Sequence, residues 1–182
     1  APFKGAVSDG CFMARLSPTK GVFDIPRMWN EVTQQKNGAR LLVIGNGLEK
    51  DERKIRLLIH EFRMEQQINM AGLKTGEEKY ALMKSAKVFI FPSYEEGFAL
   101  SILEAMACRL PVVAWDLPVY KSVYRDNIIT VPKGDITLFA GAVVKLLSDE
   151  NMRQAYVDKG YDFARQHDWD AVAQRAYQWV NN

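Results

Sequence analysis

The chain has 182 residues, 48% of them hydrophobic and 25% charged, and its 24 Lys and Arg against 22 Asp and Glu leave a net charge of +2. A chain of this length buries about 70% of its unfolded surface without a disulfide or metal staple, and this composition excludes disorder as the main state. The near-neutral balance also excludes an obligate nucleic-acid binder, which carries a concentrated basic excess.

From the N-terminus, short apolar runs alternate with longer amphipathic ones. The spacing predicts strands at Cys11–Leu16, Arg40–Ile44, Ile68–Ala71, Val88–Phe91, Pro111–Ala114 and Asn127–Val131. Helical patterns fall between them at Asp24–Gln35, Glu52–Gln66, Glu77–Ser85, Ala99–Cys108 and Val119–Tyr124. After Gly134 the pattern is helical only, at Asp135–Leu147, Glu150–Gln166 and Trp169–Val180, with Asp135 and Ser148 placed as N-caps. Strands apolar throughout that alternate with helices predict a parallel sheet covered on both faces. The expected fold is therefore a Rossmann-like, doubly wound α/β domain spanning 1–182, with 135–182 as a helical annex.

Two cysteines, Cys11 and Cys108, lack metal-ligand spacing and read as free thiols in a reducing compartment. No apolar stretch reaches the roughly 18 residues of a membrane span, and Ala1–Gly5 contains no signal-peptide core. The start at Ala1 rather than Met reads as a processed or excised piece of a longer protein.

In open parallel sheets ligands bind past the carboxyl ends of the strands, where strand order reverses. Three loops there carry suggestive residues. In the first, Arg15 and Lys20 flank a Pro18-containing turn and can converge on a phosphate or diphosphate. Spacing alone favours two solvent-exposed charges. In the second, Gly45-Asn46-Gly47 begins a G-x-G-x-x-G pattern that fails at Lys50, so a plain strand-to-helix turn is expected.

The third loop runs from Phe91 to Ala107, joining a strand end to a helix start through Gly97. A helix start offers free N–H groups and a positive dipole end to an anion. Glu96 and Glu104 add two carboxylates able to accept hydrogen bonds from sugar or ribose hydroxyls. Both also sit in S-x-x-E capping boxes, Ser93 to Glu96 and Ser101 to Glu104. They cannot both cap one helix start, so at least one needs another explanation.

Taken together, these segments resemble the C-terminal, donor-binding half of a GT-B retaining glycosyltransferase of family 4. The likeness covers Cys11 to Val180 and rests on Pro92-Ser93 through Glu96-Gly97-Phe98, Leu103-Glu104-Ala105-Met106-Ala107, Pro111-Val112-Val113-Ala114, and Arg15-Leu16 with Lys20-Gly21. The resemblance implies that Arg15 and Lys20 hold the donor diphosphate and stabilise charge on the leaving nucleotide. It implies that Glu96 touches the transferred sugar and Glu104 the ribose. Gly97 and the backbone N–H groups of Phe98, Ala99, Leu100 and Ser101 would line the donor pocket, with Gly72–Thr75 near the base.

On this reading Arg15, Lys20 and Glu96 are the catalytic residues, and the two glutamates act as positioning groups rather than an acid/base pair. The substrate is a UDP or GDP sugar, with no metal and no tightly bound cofactor. The partner is an N-terminal acceptor-binding domain of the same protein, without which the isolated domain is inactive. The location is cytoplasmic, with contact at the cytoplasmic face of a membrane left open. The alternative is a non-catalytic nucleotide or nucleotide-sugar module of the same fold.

Departures from the family pattern are Ala14, Ala99 and Arg109, where the family commonly has Gly, the Leu117–Tyr120 loop, and Ser122 for a frequent Glu. Outside the loops, His60 and His167 read as surface or helix-end residues, and Asp51–Lys54 as a solvated helix face. Trp169, Tyr177 and Trp179 have the spacing of core-packing residues.

Overall fold

The computed structural model describes residues 8–167. Six strands form one wholly parallel sheet in the order β3-β2-β1-β4-β5-β6. They are β1 (Ser8–Met13), β2 (Leu41–Ile44), β3 (Ile68–Gly72), β4 (Ala86–Phe91), β5 (Val112–Trp115) and β6 (Ile129–Val131). The intervening helices are α1 (Ile25–Gln35), α2 (Glu49–Glu61), α3 (Gly76–Lys84), α4 (Leu100–Ala107) and α5 (Pro118–Val123). After β6 follow α6 (Ile136–Ser148) and α7 (Glu150–Arg165). The expected doubly wound sheet is what forms. The third tail helix, with Trp169, Tyr177 and Trp179, lies outside the described residues.

The central strands are buried because both faces are covered. Every residue of β2 and β5 is buried, as are the last four of β1 and of β4. On the helices, Met28, Trp29 and Val32 of α1 and Phe139, Val143 and Leu146 of α6 close over the sheet. Helix α1 packs on α6, and α4 on α7. Among the described residues no helix is long and apolar enough to cross a membrane.

Several boundaries differ from expectation for local reasons. Strand β1 stops at Met13, so Arg15 and Leu16 lie beyond it, with Leu16 making a lone bridge to Gly47. Helix α2 starts earlier and ends earlier than its pattern, and Arg63 just past its end is left-handed at φ 56°. Asp135 caps α6 as expected, accepting from the Leu138 N–H at 2.9 Å, but α7 is capped by Asp149, which accepts from Met152 N–H at 2.9 Å. Ser148 instead ends α6.

The face expected to be solvated on α2 is partly engaged. Asp51 is buried, and Glu52 accepts the Gly47 N–H at 3.0 Å. This contact makes Gly45-Asn46-Gly47 the plain strand-to-helix turn that the failed fingerprint implied. Its glycines are needed for close packing: a Cβ on Gly45 would lie 1.9 Å from the Ala14 carbonyl oxygen, and one on Gly47 2.1 Å from that of Leu16.

Strand order reverses between β1 and β4, the sheet's two central neighbours, so the loops leaving them lie side by side. Gly21 is the residue that lets them touch. Its φ is 69°, and a Cβ there would stand 1.9 Å from the Pro92 carbonyl oxygen. Gly21→Ala is expected to cost at least about 2 kcal/mol, since backbone clash adds to left-handed strain. Gly38, also left-handed at φ 75° but with nothing within 4 Å of an added Cβ, supplies the comparison. Gly38→Ala is expected to lose only about 1 kcal/mol, and urea unfolding of both variants measures the difference.

Candidate functional site

The site assembles from the loops after β1 and β4 and the start of α4. The first loop makes a short 3-10 turn, Pro18–Lys20, closed by Gly21. In the second, Ser93 is fully buried, and its Oγ lies 3.1 Å from the carbonyl oxygens of both Thr19 and Glu95. The Tyr94 N–H donates to the Thr19 carbonyl at 2.8 Å, so backbone and side chain stitch the two loops together. Tyr94 reaches further, donating its hydroxyl to Asp24 Oδ2 at 2.6 Å just before α1. Burial, reinforced by Asp24, pushes the Tyr94 hydroxyl up to about 12.

Across this seam Lys20 Nζ donates to Glu96 Oε1. The Glu96 side chain is only 8% exposed and that of Lys20 26%, so the pair is partly shielded from water. Such a pair fixes both side chains in space, because removing either partner leaves a poorly solvated charge. Neither S-x-x-E box forms. Ser93 turns to backbone carbonyls, Glu96 pairs with Lys20, and α4 begins at Leu100 with no side-chain cap.

The residue before α4 is Ala99, held at φ 64° and ψ 61°. For an L-residue this left-handed geometry costs about 1–2 kcal/mol. Its carbonyl accepts both the Ile102 N–H at 2.9 Å and the Tyr124 hydroxyl at 3.0 Å, which hold it there. The chain thus keeps the backbone conformation that Gly would adopt cheaply, and Arg109 does the same at φ 61°. The guanidinium of Arg109 lies 3.8 Å from the Tyr161 ring centroid, a stacking that offsets part of its strain. Phe98 and Leu100 stand exposed beside the helix start, as does Gly97.

Glu104 projects from the second turn of α4 and is held by α3. Lys79 Nζ donates to its Oε1 at 2.6 Å and the Tyr80 hydroxyl to the same oxygen at 3.0 Å. Partial burial would pull the Lys79 ammonium down, but hydrogen bonds to Glu104 and Tyr80 outweigh it and the pKa rises. Arg15 is exposed and makes no ion pair among the described residues. It borders a groove of about 520 Å³ with Ser17, Pro18, Asn46, Gly47 and Lys50, on the side of the loop towards α2. The structure therefore brings Lys20 and Glu96 into contact but leaves Arg15 outside that contact. In Gly72–Thr75, Leu73 is exposed and Lys74 pairs with Glu78 at 2.7 Å.

Four residues of the site carry no sequence signal of their own: Lys79, Tyr80, Tyr120 and Tyr124. Tyr120 is fully buried, and its hydroxyl has no hydrogen-bond partner among the described residues. Burial, with Glu96 nearby, pushes the hydroxyls of both Tyr120 and Tyr124 up. A separate cavity of about 660 Å³ opens beyond Phe98, between Arg125, Asp126, Lys159, Phe163 and His167. Elsewhere, His60 Nδ1 lies 2.7 Å from Glu65 and His167 Nδ1 2.8 Å from the Phe163 carbonyl, and both thiols are free and buried. Among the described residues no group of three or more His, Cys, Asp or Glu is arranged to hold a metal ion.

Comparison with known proteins bears on the family and the fold. The profile of the family described as Glycosyl transferases group 1 matches residues 9–163. A phosphatidyl-myo-inositol mannosyltransferase of Mycobacterium leprae is 34% identical over 180 residues, covering 93% of this chain and 46% of the relative. An Escherichia coli O-antigen chain mannosyltransferase B is 30% identical over 103 residues, 57% of this chain and 27% of the relative. The chain thus spans about half or less of these relatives.

In fold it is similar to Anabaena HepE, solved with UDP and glucose, at a TM-score of 0.86 and 18% identity over 97% of this chain and 48% of that one. It is similar also to the C-terminal domain of a glycosyl transferase group 1 family protein from Francisella tularensis, at 0.78 and 20% identity, covering 88% of this chain and 85% of that one. All of this places the fold among GT-B proteins.

Two outcomes follow from the seam between the loops. Lys20→Met is expected to destabilise the chain by about 1–3 kcal/mol by leaving Glu96 unpaired, and Lys20→Met/Glu96→Gln to recover part of the loss. Denaturant unfolding of the single and double variants checks this. Tyr94, ordinarily near 10.0 and raised to about 12 in the fold, contributes stability that is full below pH 10 and is lost as pH rises towards 12. Tyr94→Phe is expected to shrink the fall in stability across that window, read from thermal melts at stepped pH.

Proposed function

The chain belongs to the glycosyl transferases group 1 family, and from that premise we propose that it is the donor-binding domain of a retaining, family 4 glycosyltransferase. The full protein would transfer a hexose from a UDP or GDP sugar to an acceptor. The observation that carries this reading is the Lys20–Glu96 pair beside the uncapped start of α4, at the reversal point of a parallel sheet.

Each part has a physical task. The ammonium of Lys20 and the N–H groups at the start of α4, around Phe98, Ala99, Leu100 and Ser101, face a diphosphate with positive charge. Negative charge grows on the leaving nucleotide as the glycosidic bond to the sugar breaks, and donors already held in place stabilise it without reorganising. Arg15 would join them from the neighbouring groove once a ligand bridges the two, as the catalytic set Arg15, Lys20 and Glu96 requires. A diphosphate would draw Lys20 towards itself, freeing Glu96 to accept hydroxyls of the sugar at Gly97. Glu104 would accept the ribose hydroxyls through its unoccupied oxygen.

The acceptor side would come from an N-terminal domain across a cleft, within one protein whose 1–182 portion is a single nucleotide-sugar-binding domain with 135–182 as a helical annex. A cytoplasmic location, at or near the cytoplasmic face of a membrane, accords with lipid-linked acceptors. The relative named for acting on phosphatidyl-myo-inositol supports that acceptor class.

Titration calorimetry of the folded chain with UDP and GDP tests the reading. One nucleotide is expected to bind, and Lys20→Ala and Glu104→Ala each to weaken it by about tenfold or more. No binding of either nucleotide overturns the donor-site reading, and binding by a full-length protein that neither transfers sugar nor hydrolyses donor overturns the enzymatic one.

A further inference from the structure

We propose that Lys79 and Tyr80 are positioning residues for donor recognition: they pin one oxygen of Glu104 so that the other is presented to the nucleotide ribose. The inference rests on the reading of Glu104 as the ribose-binding carboxylate and assigns α3, a separate element, the task of aiming it.

A carboxylate has about four acceptor sites on two oxygens. Both protein donors, Lys79 Nζ at 2.6 Å and Tyr80 OH at 3.0 Å, fall on Oε1. Among the described residues Oε2 receives none. The asymmetry is what a diol acceptor needs, since the ribose pair of hydroxyls requires an oxygen whose lone pairs are not already taken. A glutamate on a helix surface otherwise samples several rotamers, and ordering it on binding costs affinity. With the side chain of Glu104 30% exposed and that of Lys79 19%, the contact is sheltered enough for a charge-assisted bond to hold one rotamer.

Lys79 and Tyr80 are consecutive on α3, about 100° apart around the helix, so they do not share a face. Even so, the Lys79 ammonium lies 4.4 Å from the Tyr80 ring centroid. The cation, the ring and the carboxylate thus form a closed triangle linking α3 to α4. A simple surface ion pair needs no such second donor on the same oxygen. Its carboxylate lies about one helical turn past the start of α4.

The test compares ribose with dideoxyribose. Calorimetry on the 182-residue chain measures UDP and GDP against their 2′,3′-dideoxy forms. The chain is expected to prefer the ribonucleotide by about tenfold or more. Lys79→Met is expected to reduce that preference to about threefold or less by weakening the ribonucleotide alone, with dideoxynucleotide affinity unchanged. Lys79→Arg retains a donor and should keep most of the preference, while Tyr80→Phe should lose part of it. In a Glu104→Gln background Lys79→Met should add no further loss.

A preference left intact in folded Lys79→Met, or equal weakening of both nucleotide forms, overturns the inference while the donor site stands. A wild-type chain that binds nucleotide but does not discriminate ribose from dideoxyribose overturns the role of Glu104, and the inference with it. Matching circular dichroism and melting temperatures among the variants separates these results from misfolding.

Discussion

The close approach of two loops at the centre of the sheet governs everything at the carboxyl edge of its strands. A glycine, Gly21, lies so near the Pro92 carbonyl that no side chain fits between them. Only this proximity lets Thr19 accept from Ser93 and Tyr94, and only it lets Lys20 span to Glu96. The parallel topology creates the opportunity, because the chain leaves β1 and β4 in the same direction from adjacent positions. The glycine converts adjacency into contact, and the ion pair converts contact into a shared electrostatic centre.

A second constraint sits one step along the chain. The start of α4 turns through a left-handed Ala99, a conformation an alanine adopts at a cost. The structure holds it by bringing the Tyr124 hydroxyl onto its carbonyl, and the Tyr124 ring in turn packs at a tilt against Phe98 and Phe163. The backbone of the β4–α4 loop is therefore supported from the α5–β6 connection and from α7. Strain at a ligand-facing loop that is over-determined by its surroundings is a common arrangement at functional sites. Here the turn leads into a helix start that no side chain caps.

Charge at this edge is arranged as two lysine–glutamate pairs, Lys20–Glu96 and Lys79–Glu104, contributed by four different segments. Glu96 and Glu104 are each met by a cation from elsewhere, so an overall charge of +2 conceals a locally structured field. Arg15 stands apart from both pairs, facing the groove towards α2. The two pairs differ in what they leave open. Glu96 is nearly enclosed, whereas Glu104 keeps one oxygen without a protein donor.

The amino-acid sequence by itself determined the strands, since runs such as Leu41–Ile44 and Val112–Trp115 are apolar on both faces and only a doubly covered parallel sheet buries them. It also pointed to the loops past the carboxyl ends of those strands, where open parallel sheets bind ligands. It left Glu96 and Glu104 divided between capping and binding, as the S-x-x-E spacing is local and satisfied by either. Tertiary structure decided that neither caps, by supplying Lys20 from 76 positions away and Lys79 from 25. It decided too that Lys20, at the end of the 3-10 turn, reaches Glu96 while Arg15 borders the groove towards α2. Periodicity records which faces are buried, but the partner of a polar side chain is fixed only when distant segments are brought within hydrogen-bond reach.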